Sequence, residues 1–423
     1  MNRPAFLISV ILALGLGYGL AFTSPSGPAA LGTPAVSDDD CLTCHGDPEL
    51  NRADGTSLYF DQDKAQGSSH GQAGLSCVDC HTDLKATTDF PHAEKLRPVV
   101  CAACHEDIYQ EIKASVHDGL EKKQVPVGCK DCHGTHDIRP ADDFESSVSP
   151  LNLPETCEKC HAEKVKTPRG GEFIRQYEAS AHFQGLMKSG LTLSANCSHC
   201  HGVHDILPTK DPASRVARSN IIRTCGRCHV GIEKSYREGV HGKAYVKGSG
   251  DVPVCTDCHS EHDIRAPEDL GSRVYATKVA AICVRCHDDE RLGRLYGFLT
   301  SRLKTYFGSY HGTASKFGET RVANCASCHG FHDIRDSSDP DSSINPANLP
   351  KTCGTCHTGA GANFAKGKIH ETPAEMSGNR WAQAVKVFYI ALIAVLISAF
   401  LLFIAADLFR KVRLKWLNKR RPR

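Results

Sequence analysis

All 22 cysteines of this 423-residue chain fall in a single pentapeptide, Cys-x-x-Cys-His, which occurs eleven times. The pairs are Cys41 and Cys44; Cys77 and Cys80; Cys101 and Cys104; Cys129 and Cys132; Cys157 and Cys160; Cys197 and Cys200; Cys225 and Cys228; Cys255 and Cys258; Cys283 and Cys286; Cys325 and Cys328; Cys353 and Cys356. The histidines that follow them are His45, His81, His105, His133, His161, His201, His229, His259, His287, His329 and His357. Two thiols three residues apart reach the two vinyl groups of one porphyrin, and the adjoining imidazole is then held under the iron. A zinc site needs two such pairs per metal, a redox dithiol stands alone, and a disulfide has no use for an obligatory histidine. Repetition of the whole pentapeptide therefore predicts eleven covalently held haem c groups, each with its proximal histidine inside the motif.

The other twelve of the 23 histidines carry the next step. His199 lies between the two cysteines of the Cys197 motif and is badly placed to reach a second iron. Eleven candidates are left for eleven sixth positions: His70, His92, His117, His136, His182, His204, His241, His262, His311, His332 and His370. That equality predicts bis-histidine, six-coordinate, low-spin iron throughout, with no position held open for a substrate.

These histidines recur in register. Motif pairs begin at Cys77, Cys129, Cys197, Cys255 and Cys325, and in the last four the two motifs are 28 residues apart, so the repeating unit is a two-haem module. In those four the first motif runs on as His133-Gly-Thr-His136-Asp-Ile, His201-Gly-Val-His204-Asp-Ile, His259-Ser-Glu-His262-Asp-Ile and His329-Gly-Phe-His332-Asp-Ile. Upstream of the same four stand Ala-Ser-Val-His117, Ala-Ser-Ala-His182, Glu-Gly-Val-His241 and Gly-Ser-Tyr-His311. The Cys77 module is a diverged copy, with His70 upstream and His92 downstream, and the Cys41 motif and His370 complete the count at the two ends. Each module is thus expected to carry two ligand histidines for its own two haems, with the individual pairing left open. Asp137, Asp205, Asp263 and Asp333 follow the second histidine and either orient an imidazole or cap the next turn. Ser146-Ser147-Val148 through Asn152-Leu153-Pro154 reappears as Ser342-Ser343-Ile344 through Asn348-Leu349-Pro350, which marks duplication.

From Cys41 to His370 there are 330 residues, about 30 per motif, too few to wrap each porphyrin in an ordinary protein core. The fold expected for residues 41–370 is mostly irregular with short α-helices around a haem-stacked core. Ile232 to His241 and Arg302 to His311 read as helical, while strand-like alternation is scarce.

The ends locate the chain. Residues 1–30, with Arg3 ahead of an apolar run from Ala5 to Phe22, read as a signal peptide or N-terminal anchor. Residues 371–386 form a polar tether, and residues 387–406 are an uncharged apolar stretch long enough to cross a bilayer core of about 30 Å. Residues 407–423 hold Arg410, Lys411, Arg413, Lys415, Lys419, Arg420, Arg421 and Arg423, so the tail is expected in the cytoplasm and the haem domain in the periplasm of a bacterial inner membrane. The formal charge of +2 hides an asymmetry: with those eight residues set aside, 42 basic face 48 acidic residues, a net of −6. The tail suits anionic inner-membrane lipid, the domain suits basic redox partners, and nucleic-acid binding has no support.

With its doubled motifs and the stretch His81-Thr-Asp-Leu-Lys through Asp-Phe-Pro-His92 to Val-Val-Cys101, the chain resembles the membrane-anchored multihaem c-type cytochromes of respiratory chains. The resemblance covers residues 41–370. It implies a multihaem cytochrome c fold with one C-terminal transmembrane helix and an electron carrier rather than an enzyme. It further implies a quinone-reactive membrane subunit, a b-type cytochrome, as donor, and periplasmic redox proteins as acceptors. Met1, Met187 and Met376 are the whole methionine supply, so His/Met ligation, which raises potentials, is scarce and low potentials are expected. The competing readings are a reductase of nitrite, hydroxylamine or sulfur oxyanions with one open haem, and a free-standing tethered relay. None of the eleven motifs departs from Cys-x-x-Cys-His, as a substrate-binding haem of that kind would lead one to expect.

Overall fold

The computed structural model describes residues 36–118, 127–162, 171–366, 370 and 380–419. The signal or anchor segment, most of the tether and the last four residues of the tail lie outside them. The chain divides into two compact units. One runs through Cys104 and includes His136–Ile138; the other comprises His105–Thr135 and everything from Arg139 onward.

Among the described residues there is no strand, only an isolated bridge between Asn51 and Ser57. Short helices joined by turns make up the rest, as the dense punctuation by Gly and Pro demands. The segments read as helical from sequence are so, but each is broken just before its histidine: Val230–Glu238 then Val240–Val246, and Arg302–Phe307 then Tyr310–Lys316. In three of the upstream segments a serine makes the break by capping the helix that carries the histidine. Ser309 Oγ accepts the Gly312 N–H at 3.2 Å, Ser180 Oγ that of Phe183 at 3.1 Å, and Ser68 Oγ that of Gly71 at 3.0 Å. Gly242 and Gly312, directly after His241 and His311, sit where an added Cβ would lie 2.1 Å from the carbonyl oxygens of Tyr236 and Tyr306. Only glycine lets the two helices approach that closely.

The loop between the two motifs of a module is built the same way four times. Ser146, Ser214, Ser272 and Ser342 each donate to the carbonyl seven residues earlier, on Arg139, Leu207, Arg265 and Arg335, at 3.2–3.4 Å. The duplicated stretch seen in the sequence keeps its contacts too. Ser147 Oγ donates to the Cys132 carbonyl and Ser343 Oγ to that of Cys328, both at 2.5 Å. Against this polar scaffolding the apolar core is slight, its one cluster among the described residues being Ile221, Ile222 and Val254.

The C-terminal helix, Arg380–Lys419, has 40 residues. At about 1.5 Å per residue it is about 60 Å long. Its apolar span, Gln383–Trp416, contains residues 387–406 and is long and apolar enough to cross a membrane. Inside that span Asp407 is paired with Arg410 at 3.3 Å and with Lys411 at 2.7 Å.

Candidate haem sites

Each first motif of a module is a helix of four or five residues starting at its first cysteine: Cys77–Cys80, Cys129–His133, Cys197–His201, Cys255–His259 and Cys325–His329. The residue just before the second cysteine folds back on the helix start. Asp79, Asp131 and Asp257 accept the backbone N–H of Ser76, Gly128 and Val254 at 2.7–2.9 Å, and Ser327 Oγ that of Asn324 at 3.1 Å. His199 occupies this position in the Cys197 motif and accepts from Asn196 through Nδ1 at 3.3 Å. After the proximal histidine the backbone turns through positive φ at Gly134 (79°), Gly202 (99°), Ser260 (75°) and Gly330 (83°), which aims the chain at the second histidine.

The second cysteines differ in how far protein alone covers them. Cys44, Cys104, Cys228 and Cys356 are exposed, and the other second cysteines are half-buried. Cys44 lies in the last turn of the helix Asp38–His45, where its carbonyl accepts the Asp47 N–H at 3.1 Å. Cys160, Cys228 and Cys356 stand beside the first motif of their own module. Cys160 neighbours Cys132, Cys228 neighbours Cys200 and Cys356 neighbours Cys328.

Ten proximal imidazoles face a distal candidate. The pairs are His45 with His92, His81 with His136, His117 with His161, His133 with His204 and His182 with His229. The other five are His201 with His262, His241 with His287, His259 with His332, His311 with His357 and His329 with His370. Ring centres in all ten are 6.0–6.4 Å apart. Two imidazoles bound to one metal from opposite sides, each at about 2 Å, have ring centres about 6 Å apart, so the pairs fit a six-coordinate iron. Interplanar angles run from 7° to 56°, as expected of rings that share an axis and can rotate about it. His105 and His70 are the remaining members of the proximal and distal sets.

The pairing departs from one sequence expectation. His204 faces His133 of the preceding module rather than a motif of its own, so a module's two histidines do not both face its own motifs.

Hydrogen bonds select which ring nitrogen is left for iron. In one pair both Nδ1 atoms lie 2.8 Å from backbone carbonyls, His45 from Leu58 and His92 from Ala93, which directs the two Nε2 atoms inward. His370 Nδ1 lies 3.0 Å from Thr305 Oγ1, a contact that nothing in the sequence signals. Phenylalanine rings pack on others: Phe60 on His136, Phe298 on His287 and Phe364 on His357 at 4.9 Å, and Phe173 on both His161 and His262 at 5.6 Å. Burial, helped by the facing His287, pushes the His241 imidazole down to about 4; burial and the facing His370 do the same to His329. Both are thereby kept neutral, the form that binds iron. Two of the aspartates left open by the sequence serve turns: Asp205 accepts the Val203 N–H at 3.3 Å and pairs with Arg215 at 3.0 Å, and Asp263 accepts from Ser260 Oγ.

Successive modules also meet through their cysteines. Cys157 lies beside Cys197, Cys225 beside Cys255 and Cys283 beside Cys325, each pair joining the second motif of one module to the first of the next.

Residues 246–292 match the family model described as doubled CXXCH motif, and residues 69–162 match that of cytochrome c3. No curated protein and no solved structure matches the chain. The two family matches fall on the modules whose imidazoles are paired at iron-binding distance, and the chain is a multihaem c-type cytochrome that transfers electrons.

Proposed function

We propose that the chain is a one-electron conduit of eleven bis-histidine haem c sites, tethered by its C-terminal helix to the bacterial inner membrane with the haem domain in the periplasm. Haem iron, cycling between ferric and ferrous, supplies the redox chemistry at each motif. The protein's part is to hold two imidazoles on each iron, exclude other ligands, and keep successive sites close. The observation that carries this reading is the set of ten histidine pairs at 6.0–6.4 Å, each placed to occupy both axial positions. Contact between the cysteines of successive motifs supports a path that follows sequence order.

The donor in this proposal is a quinol-oxidising membrane subunit with haem b, because residues 387–406 of the single span carry no charged side chain with which to handle quinol protons. The acceptors are periplasmic redox proteins. Mild-detergent purification from native membranes, with mass spectrometry and a haem b assay, tests the partnership; the chain emerging alone would make it a free-standing relay. Ferric electron paramagnetic resonance tests the conduit itself: all low-spin iron is expected. A stoichiometric high-spin signal, or carbon monoxide binding to the native reduced protein, would instead indicate a reductase.

A further inference from the structure

Within the ten pairs two rules alternate. The upstream histidine of a module faces that module's own second motif: His117 with His161, His182 with His229, His241 with His287 and His311 with His357. The histidine of the His-Asp-Ile stretch faces the first motif of the module before: His136 with His81, His204 with His133, His262 with His201 and His332 with His259. The ends obey the second rule. His92, in the first module, faces His45 of the motif before it, and His370, beyond the last module, faces His329.

A backbone hydrogen bond repeats with the same offset. An N–H at or just before the residue preceding each upstream histidine donates to the isoleucine carbonyl of the next module: Ser69 to Ile138, Val116 to Ile206, Ala181 to Ile264 and Val240 to Ile334, at 2.7–2.8 Å. At the last of these Gly239 is so close that an added Cβ would stand 3.0 Å from the Ile334 oxygen, and Arg335 reaches Glu238 at 3.3 Å. The His-Asp-Ile stretch is therefore seated on the preceding module by its backbone as well as by its imidazole.

We propose that the haem on the first motif of each module is a staple between modules, covalently bound to one and axially ligated by the next, and that His370 closes the last staple. The unit that folds is consequently not the unit that repeats. A first-motif iron gains its sixth ligand only when the following segment docks. At Cys325 that segment is the one leading into the membrane helix, so the last staple depends on the anchor's own connection. This inference rests on the two-histidine reading of the pairs and is independent of which partners exchange electrons.

The test is to ask which haem a given histidine closes. Full-length His204→Ala, in detergent, is treated with peroxide, which destroys the porphyrin at an open iron, and digested; mass spectrometry then shows which Cys-x-x-Cys-His peptide has lost it. One high-spin ferric haem per chain is expected, with loss at Cys129 and Cys132. Loss at Cys197 and Cys200, loss at Cys225 and Cys228, or the absence of any high-spin haem overturns the proposal. His370→Ala tests the same rule at the chain's end should the first variant not mature, with loss expected at Cys325 and Cys328 and the proposal overturned by loss at Cys353 and Cys356. Wild-type protein run alongside keeps two failures apart: an open iron there counts against the conduit, whereas a variant that opens the wrong motif counts against the staple.

Discussion

His199 holds Asn196 by its backbone, taking the N–H on Nδ1 at 3.3 Å, in the position where Asp79, Asp131 and Asp257 accept the same N–H in sister motifs. The one histidine outside both ligand sets is a helix-capping residue. His199→Asp should therefore leave the low-spin ferric spectrum unchanged and shift stability by no more than about 1 kcal/mol. A new high-spin signal in that variant would make His199 a ligand after all.

Ser260 is at φ 75°, where the three sister positions have glycine. Strain of this kind costs about 1–3 kcal/mol, and the Ser260 hydroxyl recovers part of it by donating to Asp263. Ser260→Gly should raise the denaturation midpoint by the equivalent of about 1 kcal/mol, and Ser260→Ala, which keeps the strain and loses the hydrogen bond, should lower it. Equal midpoints for all three proteins would show that the turn stores no strain.

Gly242→Ala places a methyl group 2.1 Å from the Tyr236 carbonyl oxygen, a backbone atom that cannot step aside. The two helices must separate, at a cost of about 2–3 kcal/mol, and His241 moves with them. Loss of one low-spin centre together with a lowered melting temperature is the expected result, read by magnetic circular dichroism.

For His241, burial and the facing His287 set the folded-state value at about 4 against 6.5 for an exposed imidazole. Between those values the unfolded chain binds the extra proton and the folded chain does not, so stability rises with pH there. The contribution is complete above 6.5 and is lost as pH falls toward 4. Acid titration should leave this iron low-spin until about pH 4, and iron binding by the neutral imidazole moves the transition lower still. A high-spin transition near about pH 6 would contradict it.

Thr305→Val removes the hydroxyl 3.0 Å from His370 Nδ1 while keeping the side chain's shape. A ligand that loses its outer hydrogen bond becomes less basic and binds about ten-fold more weakly. One of the haem potentials should rise and slow carbon monoxide binding should appear at a single site, as measured by spectroelectrochemistry. No change would place Thr305 outside the ligand's support.

The covalent chemistry was legible in the sequence because it is contiguous: two cysteines and a histidine within five residues define a site wherever the chain goes. The distal set was legible by count and by repetition of context, and His92 and His370, which stand outside the repeated contexts, face proximal imidazoles as the eight histidines inside those contexts do. Pairing was not legible. Partners are separated by between 41 residues, for His329 and His370, and 73, for His259 and His332, and nothing local distinguishes one distance from another. Thr305 was missed for the same reason, being 65 residues from the imidazole it touches. The aspartates after the second histidine were ambiguous because a carboxylate there can reach either a turn N–H or a ring, and at Asp205 and Asp263 the turn is nearer.

Because every module takes one histidine from its successor and gives one to its predecessor, a duplication or deletion of a whole module leaves donors and acceptors of axial ligands in balance. No compensating substitution is needed at the new junction. A chain built this way can change its number of redox centres in steps of two during evolution while remaining fully ligated, provided that something at its end still plays the part of His370.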